Sequence, residues 1–228
     1  MARLRKIKPD IAIEFRQPYN GPLMRKYGNA FRAVDCPYTA AVNRKFTVDV
    51  RLLAGNTAVH SDPIIWHKDE SVESAALQIL NVLFSVPQLS VRLNQVPEDH
   101  LAMVRFWTEY WRENREVLLD GTLQPARPAA LYPMIHASNE EKAIVGLYEE
   151  MVVPIGWEAG SGTAQVLDIV NAKPGMTVVL LVANDLGSRK VSTFDVTGNL
   201  IDQSTRRLTA GVHAFGVPPS GLLRIEQP

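Results

Sequence analysis

FRAVDCPYTAAVNRKFTVDVRLLAGNTAVH, residues 31–60, holds a complete strand–helix–strand unit, and the reading of the fold turns on it. Phe31–Val34 is a short apolar run of strand type, closed by Asp35-Cys-Pro37. Thr39–Ala54 then places apolar side chains at Ala41, Val42, Phe46, Val50 and Leu53, the spacing of one helix face. Gly55 stands where a helix stop is expected, and Thr57–His60 begins the next strand. Two neighbouring strands joined through a helix run parallel, because a crossover of this length returns the chain to the same end of the sheet.

Working outward, the unit repeats. Ile11–Phe15 reads as an earlier strand, bounded by Pro9-Asp10 and Gln17-Pro18. Ser71–Val86 reads as a helix with Ser71 as its N-cap, an apolar face at Ala75, Ala76, Ile79, Leu80, Leu83 and Phe84, and a stop at Pro87. Leu89–Leu93 is a fourth strand. Pro97–Leu119 is a long amphipathic helix with acidic residues in its first turn, its buried side marked by Leu101, Val104, Trp107, Trp111 and Val117. Four strands alternating with helices imply a parallel sheet with right-handed crossovers. The spacing is that of a (β/α)8 TIM barrel, but a whole barrel needs roughly 250 residues. Residues 1–122 are therefore expected to supply half of one.

The pattern changes after Gly121. Gln124–Pro128 reads as a linker. Beyond it, Lys142–Tyr148, Val166–Val170, Thr177–Ala183, Lys190–Asp195, Gly198–Asp202, Gly211–Gly216 and Gly221–Ile225 are short β-type segments separated by turn residues. Their spacing predicts an antiparallel β-sandwich over residues 123–228. The fold class expected from both parts is α/β plus all-β.

Composition narrows the function. Among 228 residues, Lys plus Arg and Asp plus Glu both number 24, so the formal charge is zero. The balance also holds along the chain, with 16 basic and 14 acidic residues in 1–122. A nucleic-acid partner would require a basic excess, and none is expected. With 46% hydrophobic and 21% charged residues, the chain is not an acidic disordered one. No run of 18 apolar residues occurs, so no membrane span is expected. The basic start Met-Ala-Arg-Leu-Arg-Lys-Ile-Lys lacks the apolar core of a signal peptide, which points to a cytoplasmic setting. The single cysteine, Cys36, excludes an internal disulfide and a multi-cysteine zinc site, and it reads as a small buried residue or pocket wall. The histidines are too scattered to suggest a metal site.

Several stretches together resemble a known family. They are Ile13-Glu-Phe-Arg-Gln17, Arg32-Ala-Val-Asp-Cys36 followed by Asn43-Arg44, Ala58-Val-His-Ser-Asp62, Asn81–Arg92 and Phe106–Gly121. In this order they resemble the second half of the barrel of retaining α-galactosidases (melibiases), glycoside hydrolase family 36. That family also carries a β-sandwich after its barrel. The resemblance implies that the four strands are barrel strands five to eight. It implies further that Asp35, at the carboxyl end of strand six, is the general acid/base. The apolar run before Asp35 would partly desolvate it, which favours the protonated form an acid needs. The family's nucleophile belongs to a Lys-x-Asp motif ending strand four. Lys8-Pro-Asp10 fits the letters but precedes a strand instead of ending one.

Retaining hydrolysis requires a second carboxylate about 5 Å from the first. The resemblance therefore implies that the nucleophile-bearing half is not among these 228 residues, which are a truncated or separately encoded C-terminal portion that a complementary N-terminal chain, if one exists, would complete. The isolated chain is expected to be inactive and either to bind such a partner or to form a homo-oligomer. The substrate class implied is a terminal α-linked hexoside, an α-galactoside or related oligosaccharide, with no cofactor. Galactose itself is open, because the loop Arg16–Gly21 lacks the family's cysteine and glycine-rich run. Transglycosylation is equally compatible with the residues. The alternative is a non-catalytic carbohydrate-binding module or relic fragment.

Each site residue has a plainer reading beside it. Asp35 is also good capping chemistry before a helix. Arg16 and Gln17 are placed to hydrogen-bond sugar hydroxyls. His60 either contacts a sugar hydroxyl or pairs with Asp62. Trp66 either stacks on a pyranose ring or fills the core. Trp107 and Trp111 are read as packing, and no Gly-x-Ser-x-Gly elbow supports a serine hydrolase.

Overall fold

The computed structural model describes residues 1–16, 21–35, 38–156 and 165–228. A short helix α1 (Ala2–Ile7) precedes β1 (Glu14–Arg16), β2 (Ala30–Arg32), β3 (Ala58–Ile64) and β4 (Val86–Leu89). These strands form one sheet in the order β1-β2-β3-β4, with every neighbouring pair parallel. Helix α2 (Ala40–Ala54) links β2 to β3, and α3 (Val72–Leu80) links β3 to β4. Helix α4 (Glu98–Glu113) follows, and a π-type turn at Glu116–Asp120 continues it after Asn114.

The elements form where the residues suit them, with three shifts from expectation. Gly55 ends α2 with φ +56, a conformation costly to any residue with a Cβ. Ser71 caps α3, its Oγ accepting from the Ser74 N–H at 3.3 Å. Yet α3 ends at Leu80, so Pro87 lies inside β4 instead of ending a helix. It is tolerated because β4 is an edge strand. In α2 the buried residues are Asn43, Arg44, Thr47, Val48, Val50 and Ala54, whereas Leu53 is exposed. The helix has turned to bury Arg44. That guanidinium lies 4.1 Å from the centre of the Tyr148 ring, donates from Nε to the Leu131 carbonyl at 2.8 Å, and bonds to Asn81. One face of the sheet packs on α2 through Phe31, Ala33, Val50, Ala54 and Val59.

The rest of the chain supplies two further sheets. β5 (Thr122–Pro125), β6 (Met134–Ser138), β7 (Lys142–Leu147), β9 (Val166–Asn171), β11 (Gly187–Phe194), β12 (Leu200–Leu208) and β14 (Gly221–Glu226) build one, in the order β12-β11-β14-β9-β7-β6-β5. β8 (Val152–Ile155), β10 (Thr177–Val182) and β13 (Gly211–Gly216) build the other, in the order β13-β10-β8. Two corrections follow. The stretch read as a linker at Gln124–Pro128 begins within β5, whose backbone pairs antiparallel with β6. The sheets are also not wholly antiparallel, since β7 pairs with β9, and β8 with β10, in parallel.

The central strands β7, β9 and β14 of the seven-stranded sheet are buried on both faces. On one side Leu167, Ile169, Val191, Leu223 and Ile225 meet Val153, Val178, Leu180 and Phe215 of the smaller sheet. On the other, Ile135, Ile144, Val170 and Leu222 share a core with Ile79, Leu80, Met103 and Trp107 of α3 and α4. This is why β7 and β9 read as nearly unbroken apolar runs instead of alternating ones. Gly146 of β7 marks a close approach, because a Cβ there would meet the Tyr148 hydroxyl at 2.8 Å and the Phe84 ring at 2.9 Å.

One charged group crosses this second contact. Asp168 of β9 is fully buried and accepts two bonds from Arg224, from Nε at 2.8 Å and from Nη2 at 2.9 Å. Lys142 lies 2.6 Å from the same carboxylate, and the Tyr110 hydroxyl of α4 donates to it at 3.0 Å. Burial alone would raise the Asp168 carboxyl, but Arg224 and Lys142 outweigh it and hold it below the ordinary carboxylate range. No helix is long and apolar enough to cross a membrane among the described residues.

Candidate active site

The parallel pairing puts Arg16 opposite Arg32, and Arg32 opposite His60, so these side chains project from one face of the sheet. Glu14 shares that face by its even spacing from Arg16. Asp62 reaches it where the register between β3 and β4 shifts, between His60 and Pro63. Asp35 arrives from the turn three residues beyond β2. The face opposite is the apolar one covered by α2. Alternation along three short strands thus sorts core from chemistry.

Arg32 is the centre of the row. Its Nη2 donates to Asp35 Oδ1 at 2.9 Å, its Nη1 lies 3.7 Å from Asp62 Oδ1, and its Nε lies 3.8 Å from Glu14 Oε1. Arg16 Nη2 donates to the other Asp35 oxygen, Oδ2, at 3.1 Å. His60 Nδ1 lies 3.2 Å from Glu14 Oε2 and 3.0 Å from Gln88 Nε2. Gln88 of β4 is fixed in turn, its backbone N–H donating to Ser61 Oγ at 3.0 Å. Arg32 Nε is buried and has no hydrogen-bond partner among the described residues.

The expectation of an apolar surround for Asp35 is corrected here. Phe31, Ala33 and Val34 are buried, and Phe31 and Ala33 join the core with α2. The Asp35 side chain remains 33% exposed, between two guanidinium groups. The buried carboxyl of the row is instead Asp62, whose side chain is 4% exposed. Burial is the main cause that pushes Asp62 up from the ordinary carboxylate range. Arg32 and, more weakly, Arg16 pull it down, and Asp35 pushes it further up. An ion-paired carboxylate and a buried, proton-favouring one on the same strand ends form an arrangement suited to moving a proton.

Of the predicted site residues, the structure brings Asp35, Arg16 and His60 together. Gln17 and Cys36 lie outside the described residues. Trp66 stands apart: it is buried, and its indole N–H donates to His100 Nδ1 at 3.1 Å, while His100 Nε2 lies 3.1 Å from the Glu70 carbonyl. Its ring is committed to the core shared with α3 and α4. Glu14, Arg32, Asp62 and Gln88 were not singled out as site residues by sequence. The signal for two of them was present: charged residues two apart in a strand, such as Glu14 and Arg16 or His60 and Asp62, share a face that the residue between them does not.

A sizeable cavity lies elsewhere. It measures about 550 Å³ and is lined by Gln124, Met134, His136, Val153 and Leu167 among others. None of the charged row lines it, so the site is defined by its polar groups and not by volume.

Comparison with known proteins adds little. No family model matches the chain, and no curated protein does. A solved structure described as a glucosidase from Croceicoccus marinus matches with a TM-score of 0.40 and 11% sequence identity. The match covers all of this chain and 62% of that one. A likeness of this degree carries no argument about fold or activity. What stands without it is a mixed α/β protein with a parallel sheet whose polar face gathers acids and arginines.

Proposed function

We propose that this chain is the acid/base-bearing portion of an α-galactosidase-like retaining glycoside hydrolase acting on terminal α-linked hexosides. Residues 1–122 are the second half of a (β/α)8 barrel, and residues 123–228 are a β-sandwich domain. The observation that carries the reading is the gathering of Asp35, Arg16, Arg32 and His60 on one face of parallel strands, with Arg16 and Arg32 at the carboxyl ends of β1 and β2 and Asp35 just beyond. Enzymes built on such sheets place their chemistry there. Asp35 protonates the glycosidic oxygen and later deprotonates the attacking water. Arg16 and His60 are within reach of sugar hydroxyls. The nucleophile comes from polypeptide beyond these 228 residues, whose strands pair with the open edges of β1 and β4.

Two carboxylates suffice for double displacement, so the reading calls on no metal or cofactor. The test is hydrolysis of a chromogenic α-galactoside by the purified chain, alone and co-expressed with a polypeptide carrying a strand that ends in Lys-x-Asp. The expected result is no turnover alone, turnover when complemented, and its loss in Asp35→Asn. Substantial turnover by the chain alone, or none in a well-formed complex, overturns the proposal. The latter result favours a non-catalytic carbohydrate-binding role.

A further inference from the structure

Asp62 holds the place in the charged row from which water is most excluded. Its side chain is 4% exposed, against 32% for Glu14 and 33% for Asp35. It also has the loosest partner. Arg32 Nη1 stands 3.7 Å away, beyond hydrogen-bond range, while Nη2 of the same guanidinium bonds Asp35 at 2.9 Å. One cation therefore faces three acids, held tightly by Asp35 and loosely by Asp62 and Glu14.

The charges facing Asp62 come from three strands. β1 brings Glu14 and Arg16, the β2 end brings Arg32 and Asp35, and β3 itself brings His60. β4 contributes the neutral Gln88. Setting the permanent cations Arg16 and Arg32 against Glu14, Asp35 and Asp62 leaves one negative charge in excess. A proton on one acid removes that excess. It costs least on the acid with fewest hydrogen bonds and least water.

We infer that in the free protein Asp62 is the proton-holding member of the row, a positioning residue that acts on Asp35 through the shared Arg32 guanidinium. While Asp62 is neutral, Arg32 is left to Asp35 and orients its carboxylate. When Asp62 ionises, the two acids compete for Arg32 and repel one another. The negative charge of Asp35 holds the proton on Asp62, so removing that charge shifts the titration of Asp62. The inference rests on the proposed function only for what Asp35 does to a substrate. The coupling itself needs none.

The experiment is a site-resolved carboxyl NMR titration of the full chain, as wild type, Asp35→Asn and Asp62→Asn. In the wild type Asp62 titrates above the ordinary carboxylate range. Replacing Asp35 lowers the Asp62 midpoint by about one pH unit, the size at which two groups titrate as a pair. Asp62→Asn removes the raised resonance and so assigns it to Asp62. A residue with a merely structural role would leave its neighbour's midpoint where it was. An Asp62 midpoint unmoved by Asp35→Asn overturns the inference, and this arm stands even if Asp62→Asn fails to fold. Coupled midpoints in a complemented protein without glycosidase activity would remove the proposed function and leave the coupling. Activity with uncoupled midpoints would do the reverse.

Discussion

Two aspartates withdrawn from water, Asp62 in the parallel sheet and Asp168 in the seven-stranded one, show how differently the two regions are built. Asp168 is enclosed by Arg224, Lys142 and the Tyr110 hydroxyl, all within 3.0 Å, and is held ionised. Asp62 has one cation at 3.7 Å and is pushed toward its neutral form. The first acid fastens helix α4 to a sheet and is fully compensated. The second is left under-compensated on strands only three to seven residues long. The sheet pair keeps its charges satisfied and carries the stability. The parallel sheet leaves the charge at Asp62 only loosely met.

The largest test of this contrast is Asp168→Asn. It leaves the partly buried Arg224 and Lys142 beside a neutral group, and unfolding in urea should show a loss of about 3–5 kcal/mol. A loss under about 1 kcal/mol would mean that the cluster is ordinary surface pairing. Leu180→Ala, in the core between the two sheets, is expected to cost about 2–5 kcal/mol. Phe31→Ala, in the small core under α2, should instead act locally. Hydrogen exchange should speed in β1, β2 and α2 while β9 and β14 stay protected. Equal loss of protection in both regions would erase the distinction drawn here. Removing the α3 cap with Ser71→Ala is expected to cost about 1 kcal/mol in the same urea assay.

The smallest effect should have the opposite sign. A carboxyl raised above its unfolded value contributes stability below that value and loses it as pH climbs through the folded one. Asp62 therefore favours the folded state in acid and costs stability at neutral pH. Asp168, lowered, does the converse, and its contribution disappears as pH falls through its folded value. Asp62→Asn should accordingly raise the urea midpoint slightly at pH 7, with the gain fading toward pH 3. A lower midpoint at pH 7 would show Asp62 to be a settled ion pair after all.

How much of this could be read from residues depended on periodicity. The alternation of strands and helices to Asp120 was legible because Phe31–Val34, Thr39–Ala54 and Thr57–His60 each carry one clear period. The ends of α3 and β4 were not, because Pro87 breaks helices and also suits an edge strand. β5, β6 and β8 escaped notice since Gln124–Pro128 has the composition of a linker and Val152–Ile155 is only four residues long. In the charged row, Asp35 pairs directly with Arg16, and His60 joins through Glu14. The centre of the row, Arg32, was hidden because a lone arginine within an apolar run gives no sign of which groups the neighbouring strands will set beside it. Trp66 shows the reverse case, in which an aromatic after a strand suggests a platform while its indole N–H is already taken by His100.

Pro87 also makes the two rims of the parallel sheet unequal. Lacking an amide hydrogen, it offers one rung fewer to any newcomer lying along β4, whereas the Glu14–Arg16 border has no such gap. Polypeptide joining this sheet would zip firmly at the β1 side and leave the β4 side as the looser seam. An assembled ring would first come open there.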